Sequence, residues 1–519
     1  MKIIQFSFSS LYLFFLAIPA QPLSIGNHTT PHDVPSSSPK EEPIAPFKPE
    51  AAISITEKLK KYRQQLKENS VRKTLAECIE LGISQNKLLA ASYASIQEQE
   101  YSLIGIKRQF LPRLNLTSLP PFLGSVKTRS SETQYQQVIV NPNGTTQITN
   151  NQMASLSTNS YNQFAPYFTL TWSFFQPSLP ASINAAAAQV QKQRLAFDVT
   201  ARSAVLQIQQ AYYTMQANKA LIDSFERIYR LNLDELNYIQ ERQRAGLTNI
   251  GAVEQARTQL YAQLNQLISF YEKYFQASAS LSLSLNQPGD KIVLPKDNLE
   301  QAALWPDSLQ QTLSEALMLR EEIQSYLQSE QASIWNARSA IRQYLPVLSL
   351  QGIYYGIYNK GSADSLVNYE SKYDFKSIGL GISWNIFDGG VAAAQAKSLE
   401  AAAKNSRNEA EYYQFVVRAQ VQRTYSTYEM SQLSLESAKA NLLAANNTLK
   451  ANRARFSIGL ADITSLVQSM QLLGQAEEAQ ISALQTFNQS VAELYRYSAR
   501  WPNNISLLVE QQKKILQKQ

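Results

Sequence analysis

The stretch from Ile378 to Gln395 changes its pattern of apolar residues halfway along. In its first half, alternate positions are apolar: Ile378, Leu380, Ile382, Trp384 and Ile386. A period of two is typical of a strand with one apolar face. Asp388-Gly389-Gly390 then breaks the alternation, and no further glycine appears until Gly459. Because an aspartate can cap the start of a helix, the pattern predicts a strand at about 375–387, a turn, and then a very long helix.

The first half of the chain contains the same succession of elements. A capping box at Thr74-Leu75-Ala76-Glu77 predicts a helix that continues to about Phe110. Strands are predicted at about 113–124 and 163–175, with a polar, turn-rich loop over 125–162 between them. The second of these strands carries apolar residues on one face: Phe164, Phe168, Leu170, Trp172 and Phe174.

A helical hairpin is predicted after each strand pair. Uninterrupted helical sequence runs from Ala181 to about Ala245 and then meets the turn Gly246-Leu247-Thr248. The returning helix has apolar residues at steps of three and four: Ile250, Val253, Leu260, Leu264, Leu267, Tyr271 and Tyr274. This is the seam of a coiled coil, with Arg257 inside it.

The second half repeats the first. Gln343–Leu350 matches Gln109–Leu116 at an offset of 234, whereas Trp384 matches Trp172 at an offset of 212. The first loop is therefore 22 residues longer than the second. We predict a first repeat over 57–290, a joint over 291–306, a second repeat over 307–501 with strands at about 346–358 and 375–387, and a C-terminal tail over 502–519.

The N-terminus has the pattern of a secretory signal peptide over residues 1–20, with a Lys at position 2 and a short apolar run. The following 21–56 segment is rich in Pro and Ser, which predicts a disordered linker. Both histidines, His28 and His32, lie in it. Because the remaining chain has no histidine, we expect no enzyme, no metal site and no cofactor.

Charge and cysteine content narrow the possible functions further. The formal net charge of +7 is spread over 519 residues, with acidic and basic residues interleaved. No basic stripe typical of a nucleic-acid interface is present in the sequence. Cys78 is the single cysteine and is expected to be a small packing residue. A disulfide framework is therefore not expected.

The predicted strands place a physical requirement on assembly. Four strands with one apolar face are long enough to cross a bilayer, but four strands cannot close a barrel. Open sheet edges are not tolerated in lipid, so several copies must complete one barrel. The hairpins are too polar for lipid and must extend from one side of it.

The sequence resembles the TolC-like outer-membrane efflux proteins over nearly all of Thr74 to Trp501. The duplicated layout, the segment Ser383–Gly390 and the Gly-Leu tips at Gly246 and Gly459 carry the resemblance. It implies a fold that is mainly α with a β-barrel segment. It also implies a homotrimer with a 12-stranded barrel in outer-membrane lipid, continuous with a 12-helix periplasmic tunnel.

The resemblance further implies a function as the exit duct of a tripartite efflux or type I secretion system. A periplasmic adaptor (membrane fusion) protein would link the chain to an inner-membrane pump or ABC exporter. The expected location is the cell outer membrane, with the helical part in the periplasm. No nucleic acid is expected as a partner.

Four groups of residues follow as candidates for function. The adaptor-docking tips are Gly246, Leu247, Thr248, Gly459, Leu460, Ala461 and Asp462. Candidates for the tunnel entrance are Arg242, Arg244, Arg453, Arg455 and Phe456. The strand-to-helix turn is Asp388, Gly389 and Gly390, and the lipid-facing barrel positions are Leu170, Trp172, Leu380, Ile382 and Trp384.

Two departures from the family and two alternative functions remain at this stage. The first repeat has Gln176-Pro177-Ser178 in place of Asp388-Gly389-Gly390. No acidic residue follows Ile463 until Glu477, so the acidic entrance ring of some members is expected to be absent. A coiled-coil envelope adhesin or structural protein would explain the heptads but leaves the strands without a role. A secreted enzyme lacks a recognisable catalytic constellation.

Overall fold

The computed structural model of the chain describes residues 50–131, 135–151, 156–288, 292–363, 367–502 and 505–518. Ala52–Gln519 forms one compact unit. The predicted signal peptide, both histidines and residues 21–49 of the predicted linker lie outside the described residues. The predicted end of that linker at residue 56 is wrong, because helix α1 already begins at Glu50 (Glu50–Glu68).

The structure contains the same helix-helix-strand unit twice. In the first repeat it comprises α2 (Leu75–Ser84), α3 (Lys87–Lys107) and β2 (Arg113–Ser131). In the second it comprises α6 (Leu309–Leu319), α7 (Glu321–Ile341) and β7 (Val347–Ala363). Each element of the second unit begins 234 residues after its counterpart, and Thr74 and Ser308 both form capping boxes. The duplication therefore extends to the way each unit begins.

The single helix predicted from Thr74 to about Phe110 is wrong. It is interrupted after Ser84, and Asn86 accepts hydrogen bonds from the N–H groups of Leu88 and Leu89 to begin α3. Asparagine competes for backbone hydrogen bonds in this way and favours helix starts over helix interiors. The corresponding break in the second repeat lies at Arg320, between α6 and α7.

Two helical hairpins of nearly equal size form most of the molecule. The first pairs α4 (Leu179–Arg244, 66 residues) with α5 (Ile250–Ser284, 35 residues). The second pairs α8 (Val391–Ser457, 67 residues) with α9 (Ile463–Tyr497, 35 residues). At 1.5 Å per residue, α4 and α8 are each about 100 Å long. The predicted seam of α5 is buried from Val253 to Tyr274, whereas Ile250 at the helix start is 49% exposed.

The four long strands form one antiparallel sheet in the order β2–β5–β7–β8, where β5 is Leu156–Phe175 and β8 is Val367–Ser383. Within the described residues, the outer edges of β2 and β8 pair with no other strand. The strands are longer than predicted because they continue beyond the apolar alternation into polar sequence. By contrast, β8 ends at Ser383, four residues before the predicted end. Ser383 pairs with Val347, and the next position on the partner is Pro346, which has no N–H to donate.

The region predicted as a loop over 125–162 consists largely of strands, so that prediction is wrong. Residues 125–131 belong to β2, residues 156–162 belong to β5, and β3 (Tyr135–Val140) pairs with β4 (Thr146–Asn151). β-Branched residues flank an Asn-Pro-Asn-Gly turn, with Val138, Ile139 and Val140 before it and Thr146 and Ile148 after it. Gly144 in that turn has a φ of 73°, which glycine adopts without strain.

Short elements join the repeats to each other and to the chain ends. Strand β1 (Ser70–Lys73) pairs in parallel with β6 (Ile292–Pro295) in the predicted joint. The predicted C-terminal tail contains α10 (Ile505–Lys518), whose Gln512 donates to the carbonyl oxygen of Ser84. These contacts connect the chain end to the start of the first repeat.

Helix α1 packs against the first hairpin through a buried cation. Arg63 is 8% exposed and contacts Asp223 at 2.6 Å and Glu226 at 3.3 Å, both on α4. Its guanidinium also lies 6.0 Å from the ring centre of Tyr274 on α5. Leu66 on the same helix is buried. This chain segment therefore forms a third helix beside α4 and α5.

A buried ionic cluster joins α7 to the end of α9. Arg320 is 1% exposed and donates through Nε to Glu322 at 2.9 Å, and Arg496 donates to the other oxygen of Glu322 at 2.7 Å. Burial alone would raise the pKa of Glu322, but the hydrogen bond from Arg320 and the charge of Arg496 lower that pKa to about 2. The carboxylate is therefore ionised across the physiological pH range.

Candidate functional site

The two helical hairpins turn in the same way at their tips. Gly246 has a φ of 71° and Gly459 a φ of 80°, the left-handed conformation that ends many helices. In each tip the leucine after the glycine donates its N–H at 2.8 Å to a carbonyl five residues earlier, from Leu247 to Arg242 and from Leu460 to Arg455. The glycines thus allow a Schellman motif, which satisfies carbonyl groups at the end of α4 and α8.

The returning helices are capped by polar side chains just beyond these leucines. Asn249 accepts from the N–H of Ala252 at 2.9 Å, and Asp462 accepts from the N–H of Ser465 at 2.9 Å. The hydrogen bond from the Ser465 backbone, together with one from its hydroxyl, holds the pKa of Asp462 below its usual range. Asp462 therefore stabilises the start of α9 as a negative charge at a helix N-terminus.

The leucines at the tips do not fill the ends of the hairpins. Leu247 and Leu460 are each 67% exposed, and Ile458 beside the second tip is 69% exposed. An apolar side chain that served only to close the coiled coil would be buried against it. Each tip instead presents an apolar group to the surroundings at the far end of a helix about 100 Å long.

Arg242 joins the two tips. Its guanidinium donates to the carbonyl oxygens of Phe456 at 3.1 Å and Ser457 at 3.2 Å, which end α8. It also lies 5.1 Å from the ring centre of Phe456. A cation at the C-terminal end of a helix complements the helix dipole. Arg242 is therefore engaged between the hairpins, and Phe456, which is 5% exposed, packs beside it.

A second ion pair crosses between the hairpins nearby. Arg453 on α8 lies 3.2 Å from the carboxylate of Glu235 on α4, whose side chain is 3% exposed. Burial raises the pKa of Glu235, and the charge of Arg453 opposes that rise. Sequence reasoning missed Glu235, although its helical spacing from Ile228 and Ile239, seven and four residues away, was a usable signal.

The other two entrance candidates lie on the exposed side of the helices. Arg244 forms an ion pair with Glu241 on its own helix at 2.7 Å. The two side chains are 70% and 68% exposed. Arg455 is exposed, and its backbone carbonyl accepts from Leu460. The structure thus brings Arg242, Arg453 and Phe456 together between the hairpins and does not bring Arg244 or Arg455 into that contact.

The predicted strand-to-helix turn depends on Asp388. Its carboxylate accepts from the hydroxyl of Tyr344 at 2.6 Å and from the N–H groups of Gly390 and Ala392 at 2.8 Å each. The hydrogen bond from Tyr344, followed by those from the backbone, lowers the pKa of Asp388. Gly389 and Gly390 both have positive φ, 70° and 87°. This residue pair therefore permits the abrupt change from strand to helix.

The corresponding turn of the first repeat is built differently. Ser178 precedes α4 without a hydrogen bond from its side chain to the helix. Its carbonyl oxygen accepts instead from the hydroxyl of Ser339 on α7 at 3.2 Å. Ser178 therefore occupies the N-cap position of α4, but its side chain does not cap the helix.

The sheet register places the predicted lipid-facing residues of the strands on one face. Trp172 pairs with Leu350, which pairs with Leu380. Two residues further along, Leu348 pairs with Ile382. Leu170 lies two residues from Trp172 on the same face. Leu380 is 77% exposed and Ile382 is 73% exposed. Trp384 lies just beyond the end of β8 and is 57% exposed.

On the opposite face of the same strands, most positions near the helices are polar residues or glycine. Thr169, Thr171, Gly381 and Ser383 occupy it by their register. The described helices include none with a run long and apolar enough to cross a membrane. In the described part of the chain, no cluster of three or more His, Cys, Asp or Glu residues could hold a metal ion.

Several solved bacterial outer-membrane proteins share this fold. The structure is similar to the CmeC outer membrane channel of Campylobacter jejuni (TM-score 0.65, 14% identity, covering 85% of this chain and 89% of that one). It is also similar to VceC from Vibrio cholerae (TM-score 0.62, 15% identity, 82% and 96%) and to the open state of the MtrE outer membrane channel of Neisseria gonorrhoeae (TM-score 0.62, 16% identity, 82% and 89%). Comparison with curated protein sequences returned no match.

The sequence itself matches the profile of one protein family. The outer membrane efflux protein profile matches residues 79–287 and 312–500. These two segments cover most of the two repeats, from within α2 to the end of α5 and from within α6 to the end of α9. The match covers well over half of the chain, and the solved structures above share its fold. The chain therefore belongs to the outer membrane efflux protein family.

Proposed function

We propose that three copies of this chain form an outer-membrane channel, the exit duct of a tripartite efflux or type I secretion system. Substrates would pass from an inner-membrane pump or ABC exporter, through a periplasmic adaptor protein and this channel, to the outside of the cell. The observation that carries the proposal is a four-stranded sheet with two unpaired edges, continuous with two helical hairpins about 100 Å long.

The unpaired edges support an assembly of several copies. The outer edges of β2 and β8 each present a row of backbone N–H and C=O groups, and each such group costs several kcal/mol if left unsatisfied in lipid. Pairing β8 of one copy with β2 of the next satisfies both rows. Three copies then give a closed barrel of twelve strands, which removes every open edge.

The apolar face of the sheet has the height of a membrane. On β8 and the residue after it, the apolar residues of this face run from Ile378 through Leu380 and Ile382 to Trp384, and Lys376 follows at the end away from the helices. Six residue steps at about 3.3 Å span about 20 Å, and the two further steps to Lys376 bring the span to about 26 Å, close to the apolar band of about 25 Å in outer-membrane barrels. Trp384 lies at the helical end of this band, and Tyr354, opposite Lys376, lies at the other end. Aromatic residues at both ends are typical of membrane interfaces.

Helix α8 supports the assembly of a tunnel below the barrel. Its seam residues Val417, Val421 and Leu435 are buried within the chain. The opposite side of the helix bears large apolar side chains that are more than half exposed: Tyr412, Phe415, Met430, Leu433 and Leu443. An exposed apolar stripe along a long helix is a site for a second helix. In the trimer, a neighbouring copy would cover it, which gives twelve helices around one lumen.

The tips support a partner that meets the tunnel at its end. Leu247 and Leu460 present apolar groups at the furthest point from the sheet, and a trimer carries six such tips. The helical part would then lie in the periplasm, where an adaptor can reach it. The acidic ring of some family members is expected to be absent here. Of the acids near the tips, Glu235 is buried against Arg453, Glu241 pairs with Arg244, and Asp462 caps α9.

Conductance of the purified protein in planar bilayers tests the proposal. We expect a trimer by light scattering in mild detergent and stable single-channel currents in the bilayer. A folded monomer with intact strands, or a trimer that never conducts, would contradict the channel and favour an adhesin or structural protein. Crosslinking at the tips, followed by co-purification, then identifies the adaptor and the pump that it serves.

A further inference from the structure

An aromatic cluster lies on the face of the sheet opposite the apolar band. Tyr167 on β5, Tyr355 on β7, and Tyr373 and Phe375 on β8 have neighbouring rings. The ring centres of Tyr355 and Phe375 are 5.2 Å apart in a stacked arrangement, and those of Tyr167 and Tyr355 are 5.8 Å apart. The ring centres of Tyr355 and Tyr373 are 5.9 Å apart. The cluster therefore spans three adjacent strands.

The register assigns these rings to one face without ambiguity. Tyr167 pairs with Tyr355, and Tyr355 pairs with Phe375, so all three side chains project to the same side. Tyr373 lies two residues from Phe375 and projects the same way. Thr169, on this same face, leads down toward the helical end of the sheet. If the apolar face contacts lipid, the aromatic cluster faces the lumen.

The rings are accessible to solvent, and the described part of their face on β5, β7 and β8 is uncharged near them. Tyr373 is 52% exposed and Phe375 is 37% exposed, so neither is consumed by packing within the chain. Among the described residues of β5, β7 and β8, this face carries no charged side chain from Ala165 to Thr171, from Val347 to Gly361, or from Ser371 to Ser383. The lysines of this region, Lys372 and Lys376, are on the other face, over the rings of Tyr358 and Tyr354.

We propose that Tyr167, Tyr355, Tyr373 and Phe375 form a binding ring for flat aromatic cations in the lumen of the barrel, near its extracellular end. The inference rests on the proposed function, because it needs the trimer, in which four rings per chain become twelve around one passage. The negative faces of aromatic rings attract cations, and flat aromatic groups stack on them. On the described residues of β5, β7 and β8, no charged side chain on this face competes for the rings or repels a cation, and Arg113 of β2 lies level with Thr171, at the helical end of the sheet.

The height of the cluster gives it a defined place on the exit path. It lies level with Tyr354 and Lys376, at the end of the apolar band away from the helices. Cargo would therefore reach these rings after it has crossed the tunnel and most of the barrel. Weak contacts at this point discriminate between cations that carry rings and those that do not.

Block of single-channel current by ethidium, a flat aromatic cation, tests the inference on the full-length protein. We expect ethidium to interrupt the current, and tetraethylammonium, a cation without rings, to do so far less. Tyr355→Leu and Phe375→Leu each remove one ring per chain and should raise the half-blocking ethidium concentration about fivefold, which corresponds to about 1 kcal/mol. Tyr355→Phe keeps the ring and should retain block.

Tyr354→Leu is the matched control, because Tyr354 is adjacent in sequence, is aromatic, and lies on the opposite face with its ring 6.0 Å from that of Phe168. It should leave ethidium block unchanged. If Tyr354→Leu weakens block and Tyr355→Leu does not, the faces are reversed and the inference fails. A channel that conducts but is insensitive to ethidium overturns the inference and leaves the proposed function intact. Absence of any conductance overturns both.

Discussion

The indole N–H of Trp384 donates a hydrogen bond to the carbonyl oxygen of Tyr344 over 2.8 Å. Tyr344 ends the helical turn before β7, and Trp384 follows the end of β8, so the bond ties the entry of one strand to the exit of its neighbour. The first repeat forms the same bond, from Trp172 to Phe110, also over 2.8 Å. The tryptophans are 212 residues apart and the carbonyls 234, a difference that equals the 22 extra residues of the first loop, yet the pairing is retained.

Replacing Trp384 by Phe keeps an apolar ring but removes this donor. We expect the free energy of unfolding to fall by about 1 kcal/mol, the net contribution of one hydrogen bond. Urea unfolding in detergent measures it. Tyr354→Phe, which keeps its ring on the same face, should change stability by less than half as much. Equal losses in both variants would show that the indole hydrogen bond has no special role.

The turn at Asp388 should respond to pH in one direction only. Its pKa is lowered by the hydroxyl of Tyr344 and by backbone N–H groups, so it lies below the unfolded value of about 3.9. The stabilisation it provides is therefore fully present above that value and is lost as the pH falls through the lower folded pKa. Hydrogen exchange of Gly390 and Ala392, compared with Asp388→Asn, measures it. Strong protection at neutral pH in Asp388→Asn would contradict the assignment.

Glycine 389 should not tolerate a side chain, for conformational rather than steric reasons. Its φ of 70° disfavours an L residue by about 1 kcal/mol, although a Cβ there would contact nothing within 4 Å. We expect Gly389→Ala to lower stability by about that amount. Gly379→Ala is the control, because Gly379 in β8 also has open space around it but no positive φ. Similar losses in the two variants would rule out backbone strain as the cause.

The cluster around Glu322 should be the most sensitive ionic site of the helical part. Glu322→Gln leaves Arg320, which is 1% exposed, without its charged partner, and we expect a loss of about 3 kcal/mol. The wild-type chain should lose the same stabilisation as the pH falls from about 4.5 toward 2, because the folded pKa is about 2. Glu411→Gln, at an exposed ion pair with Arg407, should have little effect. Thermal unfolding at pH 7 and pH 3 measures both.

Exposed leucines at the tips should matter for partner binding and not for assembly. Leu247→Ser combined with Leu460→Ser leaves the glycine turns and their backbone hydrogen bonds in place. We expect trimer yield and conductance to be unchanged and crosslinking to the adaptor to be lost, together with export. Leu443→Ser on the side of α8 is the contrasting variant, which should weaken the trimer. Export that survives in the tip variant would make the leucines dispensable.

The sequence predicts this fold well at positions where the residue type indicates a single backbone conformation or a single kind of environment. Gly246 and Gly459 mark the two turns because both helices end in a residue with positive φ, which glycine adopts most readily. The seam of α5 is visible because its buried apolar residues recur every three or four positions. The break at Asn86 was missed because asparagine also occurs inside helices. The hairpin of β3 and β4 was missed because its strands are mostly polar and their turn residues dominate the pattern.

The contacts between hairpins were not predictable from sequence. A heptad seam such as that of α5 identifies which residues of a helix are interior, but it does not say which helix faces which. Arg242 and Arg453 were therefore expected near an entrance, while the structure engages Arg242 with the end of α8 and Arg453 with Glu235 on α4. Side chains this long reach partners that periodicity alone does not specify.

The extra length of the first repeat has a consequence for the surface that other organisms encounter. The hairpin of β3 and β4 forms a separate two-stranded sheet between β2 and β5, at the end of these strands away from the helices. In an outer-membrane trimer, that end is outside the cell, where antibodies and bacteriophages attach. Because the hairpin pairs only with itself among the described strands, its sequence can diverge under such attack while the sheet below keeps its register. The two repeats can therefore diverge in sequence at different rates.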